Sequence, residues 1–158
     1  MNIFFLDPDP DTCAQLHCDK HNVKMILEYA QLLSTAHHVI DGDDAPPGIY
    51  KVTHRNHPSA VWVRESIQHY RWLHKLLDAC CLDYTRRYQR THKVERSGLL
   101  FTLGPAPRNL DNHGWQDPPQ CMPDEYKAPS AVSAYQQYYR GDKSRFAVWK
   151  LGNTPAFM

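Results

Sequence analysis

The chain has 158 residues, 42% of them apolar and 11% aromatic, and a formal net charge of +1. That length suits one domain around one core, and the composition excludes both a disordered chain and a collagen-like repeat. No run supplies the ~20 apolar residues of a membrane span, and Met1 to Asp7 lacks the basic start and long apolar stretch of a secretory signal, so a cytoplasmic protein with no membrane partner is expected.

In chain order, Ile3 to Leu6 is the only run compatible with a strand, and everything after it reads as helix or loop. Asp9 as N-cap and Pro10 at the first helical position open helix one, which Leu16, Val23, Leu27, Ala30 and Leu33 continue at helical spacing over residues 11–38. Residues 41–48 form a turn-rich loop. Pro58 opens helix two, residues 58–91, whose wide apolar face combines Trp62, His69, Leu73, Leu76 and Cys80 with Val63, Ile67, Tyr70, Leu77, Cys81 and Tyr84. Residues 98–128 carry the prolines and glycines of an irregular wrapping segment. A third helix begins at Pro129 with Ala131, Tyr135 and Tyr138 or Tyr139, and a short fourth begins at Asp142 with Phe146 and Trp149. The expected fold is mainly α: a single compact domain, 1–158, of about three to four helices with long irregular wrapping loops. Five cysteines (Cys13, Cys18, Cys80, Cys81 and Cys121), an odd number with no framework spacing, predict reduced thiols.

Charge is segregated, with two basic against eight acidic residues in 1–50 and ten against four in 51–100. On helix one, His17, His21, Lys24, Glu28, Gln31, Thr35 and His38 recur every three or four residues and make one polar stripe. Glu28 stands one turn from Lys24 and two from His21, a carboxylate ringed by donors. Such a group suits a transient cation while its basic neighbours hold an anion, which describes a sugar on a phosphate backbone. The same spacing also describes an exposed ion pair worth ~0.3–0.5 kcal/mol. At the end of helix two, Arg86, Arg90 and Lys93 share a side with Tyr84 and Tyr88 interleaved, a pattern suited to phosphates and unstacked bases, or to complementing the helix dipole.

Cys13, His17 and His21 stand at i, i+4 and i+8, which leaves a zinc-dependent hydrolase as an alternative. No CxxC or HExxH sequence supports it, so neither a metal nor another cofactor is expected. No elbow sequence presents a serine or cysteine nucleophile. An amine fits better: an α-amine with an ordinary pKa of ~7.7–8.0 is neutral often enough to form an imine with a sugar carbonyl.

These residues resemble the phage and bacterial pyrimidine-dimer DNA glycosylases of the endonuclease V type, which join glycosylase to abasic-site lyase activity. The resemblance lies in His21 followed seven residues later by Glu28, in Asp19, Lys20, Lys24 and Glu28 on one helix, and in His57, Pro58 and Trp62 opening the next. It extends to an aromatic C-terminal part with Tyr135, Tyr138, Tyr139, Trp149, Pro155 and Phe157. The resemblance implies a nucleophilic N-terminal amine assisted by Glu28. Asn2 is larger than the second residues that normally permit removal of the initiator methionine, so Met1 and Asn2 are both candidates for that amine. The expected DNA contacts are His17, Lys20, His21, Lys24, Arg86, Arg90, Lys93, Tyr135, Tyr138 and Tyr139. The expected partner is double-stranded DNA, damaged or modified, bound by a monomer. A non-catalytic or divergent phage-type DNA-binding or base-modifying protein on the same scaffold is the alternative.

Overall fold

The computed structural model describes residues 1–158 and is built of helices and irregular segments, with no strand. Ile3–Leu6 is buried but pairs with no strand. Its backbone is held by side chains instead: the Phe4 N–H donates to the Tyr29 hydroxyl at 3.2 Å, and Gln136 Nε2 donates to the Leu6 carbonyl at 3.1 Å. This threading carries the chain's first residue into the interior.

The expected helix over 11–38 is two helices. α1, Pro10–Leu16, is capped by the Asp9 carboxylate on the Thr12 N–H, and α2 runs Asp19–Asp41. His17 and Cys18 between them are extended. No Gly or Pro causes the break; partners from the far end of the chain stabilise it. Trp149 Nε1 donates to the Leu16 carbonyl at 3.1 Å, the Asp19 N–H reaches the Val148 carbonyl at 2.9 Å, and the Cys18 N–H reaches the Tyr139 hydroxyl at 3.3 Å. The backbone groups that a helix end leaves over are therefore satisfied.

The expected helix over 58–91 is also divided. His57 caps α3, Pro58–Val63, through Nδ1 accepting the Ser59 N–H, and Ser66 caps α4, Ile67–Tyr88. α4 stops at Gln89, which adopts a left-handed φ of 58°. Arg90 thus lies beyond the helix and Lys93 begins α5, Lys93–Arg96, so the alignment of Arg86, Arg90 and Lys93 on one helical side does not form. The expected irregular segment starts with a helical turn, α6, Leu99–Thr102, and then wraps without regular structure to a tight turn at Asp124–Tyr126. α7, Ala131–Tyr138, begins after Ser130 and passes directly into a π-helical turn, Tyr139–Lys143. Asp142 belongs to that turn, so no helix starts there.

A single cluster of 33 buried apolar residues runs from Ile3 to Trp149. Each fully buried Phe or Leu in it contributes roughly 1.5–3 kcal/mol. Its tyrosines enter with their hydroxyls satisfied: Tyr70 donates to the Leu103 carbonyl at 2.6 Å and Tyr135 to that of Pro119. All five cysteines are unpaired. No helix is long and apolar enough to cross a membrane.

Candidate functional site

Because the N-terminal segment is threaded through the core, Met1 comes to rest on α2. Its amine nitrogen lies 3.2 Å from Glu28 Oε1, with the methionine side chain 3% exposed and that of Glu28 16% exposed. Asn2 tethers the segment from the other side by donating from Nδ2 to the Cys121 carbonyl at 2.7 Å. Glu28 Oε2 is buried with no hydrogen-bond partner, and Lys24 Nζ stands 4.0 Å away. A carboxylate oxygen left open in this way can take a proton or face a developing cation.

The pair sits in a pocket of about 200 Å³ lined by Met1, Asn2, Phe4, His21, Lys24, Met25, Glu28, Tyr138 and Lys143. That volume is below the ~300–1,000 Å³ of whole-ligand pockets and admits one small group, such as a sugar. Lys143 was not singled out from the sequence. Its Nζ lies 4.4 Å over the Tyr138 ring and 2.9 Å from Asp142. Burial opposes its charge, but the bonds to Asp142 and Tyr138 prevail and raise its pKa. Near it, Lys20 Nζ lies 4.5 Å over Phe146, with the Arg145 guanidinium 5.9 Å from the same ring. Lys143 and Arg145, two residues apart, are the sequence signal for these cations, and only the fold brings them to α2.

Several expected DNA contacts are placed elsewhere. His17 is fully buried, and burial pushes its imidazolium down to about 4. Its Nδ1 lies 2.7 Å from the Cys13 carbonyl, which can only accept, so Nδ1 carries the proton and Nε2 accepts from the Tyr29 hydroxyl at 2.7 Å. Tyr29 in turn accepts the Phe4 N–H. His17 therefore fixes the segment that bears Met1 and offers nothing to a phosphate.

His21 is stacked on Phe4, with ring centroids 4.2 Å apart, and its Nδ1 is 2.6 Å from the Tyr139 hydroxyl. Burial, reinforced by the charges of His17, Lys143, Lys24 and Lys20, pushes it down to about 3. It is a neutral wall of the pocket, not one of its cations. Tyr135 and Tyr139 are fully buried with their hydroxyls engaged, whereas Tyr138 is half-buried and lines the pocket. Arg86, Arg90 and Lys93 are exposed but do not line it. Cys13, His17 and His21 do not form a metal centre: the Cys13 thiol is turned to the Phe4 carbonyl, and no group of three or more His, Cys, Asp or Glu side chains comes together to hold an ion.

Searches of the curated proteins and of the solved structures return no match to the chain. A family model does match, over residues 1–96, the part that supplies Met1, Asn2, Lys24, Glu28 and the α4 scaffold; the C-terminal aromatics, Lys143 and Tyr138 among their neighbours, lie outside the matched span. With three-fifths of its length covered by that match, the chain belongs to the pyrimidine dimer DNA glycosylase family.

Proposed function

We propose that the Met1 amine is the nucleophile of a DNA glycosylase with abasic-site lyase activity, acting at the pocket it shares with Glu28. The family supplies the kind of function, that of a pyrimidine dimer DNA glycosylase. The observation that carries the finer reading is the 3.2 Å approach of that amine to Glu28 Oε1. The ammonium passes a proton to the carboxylate, and the freed lone pair bonds to C1′ of the damaged nucleotide. The C1′–N bond to the pyrimidine breaks, and the base leaves with that electron pair and takes up a proton. Opening of the sugar ring, with a proton delivered to O4′, gives an iminium joining C1′ to the protein. Removal of a C2′ proton then expels the 3′ phosphate.

Glu28 serves twice: it takes the ammonium proton and returns it to O4′ as the ring opens, and, ionised again, it is the negative charge beside the iminium; its Oε2 holds no hydrogen bond. Lys20, Lys24, Lys143 and Arg145 supply the phosphate contacts. Double-stranded DNA is the substrate, since a lesion weakens stacking and lowers the cost of exposing its sugar. The whole chain acts as one domain and as a monomer.

Borohydride trapping on abasic-site DNA tests the reading. The expected result is a covalent adduct that peptide mass spectrometry places on the first residue, abolished by blocking the amine and slowed about a hundredfold or more in Glu28→Gln. An adduct on a lysine, or equal trapping by Glu28→Gln, overturns the assignment.

A further inference from the structure

On the opposite side of the N-terminal segment from the amine pocket, Phe5 backs a cluster of indoles. Its ring lies 5.1 Å from Trp72 and 6.2 Å from Trp115, while the adjacent Phe4 lines the amine pocket. Trp72 and Trp115 open onto a separate depression of about 330 Å³, completed by Pro10, Gln68, Arg71 and Lys75 and lined by no acidic side chain. The two depressions share no residue.

Trp115 is 39% exposed, an unusual place for an indole in a chain with a full core. It is not loose. Its Nε1 donates to Asp117 at 3.0 Å, and the next residue is pinned twice, its N–H on His69 Nε2 at 3.0 Å and its carbonyl by Trp62 Nε1 at 2.8 Å. Trp72 is fixed by its own N–H on the Pro8 carbonyl at 2.8 Å. With both indole N–H groups used within the protein, what these side chains offer outward is aromatic surface. Arg71 and Lys75, one turn apart on α4, are exposed, and neither takes part in a salt bridge.

We propose that this depression is a nucleic-acid site distinct from the amine pocket, in which an unpaired base stacks on Trp115 while Arg71 and Lys75 hold the flanking phosphates. Rigid aromatic surface beside cations free of salt bridges, with the Asp117 carboxylate at its edge engaged by the indole N–H, fits a nucleotide, which presents a π-face and an anion together. Binding at this depression is independent of the chemistry at Glu28.

The probe is a single-stranded deoxyoligonucleotide of undamaged bases, followed by its quenching of tryptophan emission and by its binding affinity. Trp115→Ala should weaken binding about tenfold, the loss expected of one stacked base. Trp115→Phe keeps a ring and should retain the affinity while losing most of the quenching. The Arg71→Gln, Lys75→Gln double variant should lower the slope of log affinity against log salt by about 1.4, at about 0.7 per phosphate on a single strand. Thermal unfolding of each variant checks that the indole cluster persists, and the Phe variant reads the site even where the Ala variant is less stable. Unchanged affinity in Trp115→Ala with an unchanged salt slope overturns the proposal; so does equal binding of polyglutamate at the same indole, which would make the ligand an acidic peptide. Glu28→Gln keeps these binding readings intact, so failure of the amine reaction and failure of this site are seen on different variants.

Discussion

Arg87 and Glu28 are both charged groups drawn into a largely apolar interior, and their surroundings differ in one respect. The guanidinium of Arg87, 1% exposed, is matched on every side: Nε and Nη2 meet Asp83 at 2.7 and 2.6 Å, Nη1 meets Asp19 at 3.0 Å, and Nη2 also reaches the Gln15 carbonyl at 3.3 Å. Glu28 has one oxygen on the Met1 amine and the other without a hydrogen bond, Lys24 standing 4.0 Å off, beside a pocket. The closed cluster locks α4 to the start of α2, next to the His17–Cys18 break. The open one keeps unsatisfied bonding capacity where a substrate can reach it. A polar group that is buried and matched is holding structure; one held in place but unmatched is available for chemistry.

The sharpest way to break that contrast is to remove one charge from each cluster and measure unfolding in urea. Arg87→Met takes the buried cation from Asp83 and Asp19, leaving Asp83 only the exposed Arg86 at 4.0 Å, and should cost about 3–5 kcal/mol. Glu28→Gln should change stability by less than about 1 kcal/mol, because the amide keeps an oxygen for the Met1 amine and removes a buried charge that has one oxygen without a hydrogen bond. Equal losses in the two variants would remove the distinction between a closed and an open cluster.

Acid is the next lever, and it acts through the histidines that support the open cluster. Burial holds His17 down to about 4 and His21 down to about 3, against an ordinary value of 6.5. Each is neutral when folded and takes up a proton more readily when unfolded. Their contribution is therefore complete above pH 6.5 and is lost as pH falls from there toward the folded values, at up to about 1.4 kcal/mol per pH unit for each. A stability profile from pH 7 to pH 4.5 should fall, and His17→Gln should flatten part of that fall. A flat wild-type profile would show that neither ring is buried in its neutral form.

How much of this was legible in the sequence depended on how far away the deciding partner lay. Asp9 with Pro10 and Pro58 mark helix starts through residues within three positions, and such local signals locate the starts of α1 and α3 well, whereas the start read at Pro129 falls two residues before that of α7. Glu28 and its neighbours on α2 follow directly from helical spacing. The break at His17–Cys18 did not, because apolar periodicity continues across it and the groups that stabilise it come from Tyr139, Val148 and Trp149. For the same reason the stripe through His17, His21 and Thr35 read as a polar surface, although all three are buried and matched by partners distant in sequence. Lys143 and Tyr138 reach the pocket only because the π-helical turn after α7 returns to α2.

That returning turn can be perturbed on its own. Gly141 lies under Tyr126, and a Cβ at this position would run into the tyrosine ring, which packs 5.4 Å from Tyr138. Gly141→Ala should cost about 1 kcal/mol, at the low end for overpacking because the ring is partly exposed and can swing outward. It should also slow trapping on abasic-site DNA by displacing the Tyr138 and Lys143 wall. Loss of stability with unaltered trapping would detach that wall from the reaction.

The smallest expected effect on the fold belongs to Lys24, and there the open cluster makes its most specific demand. The ammonium is 64% exposed and 4.0 Å from Glu28 Oε2, too far and too solvated to add more than ~0.5 kcal/mol as an ion pair. If its place is to hold a phosphate at the pocket mouth, Lys24→Gln should leave the urea midpoint unchanged and lower the slope of log affinity against log salt by about 0.9 on duplex DNA carrying an abasic site. A salt slope equal to that of the wild type would assign the lysine to Glu28 alone, making it a partner of the carboxylate with no part in holding the strand.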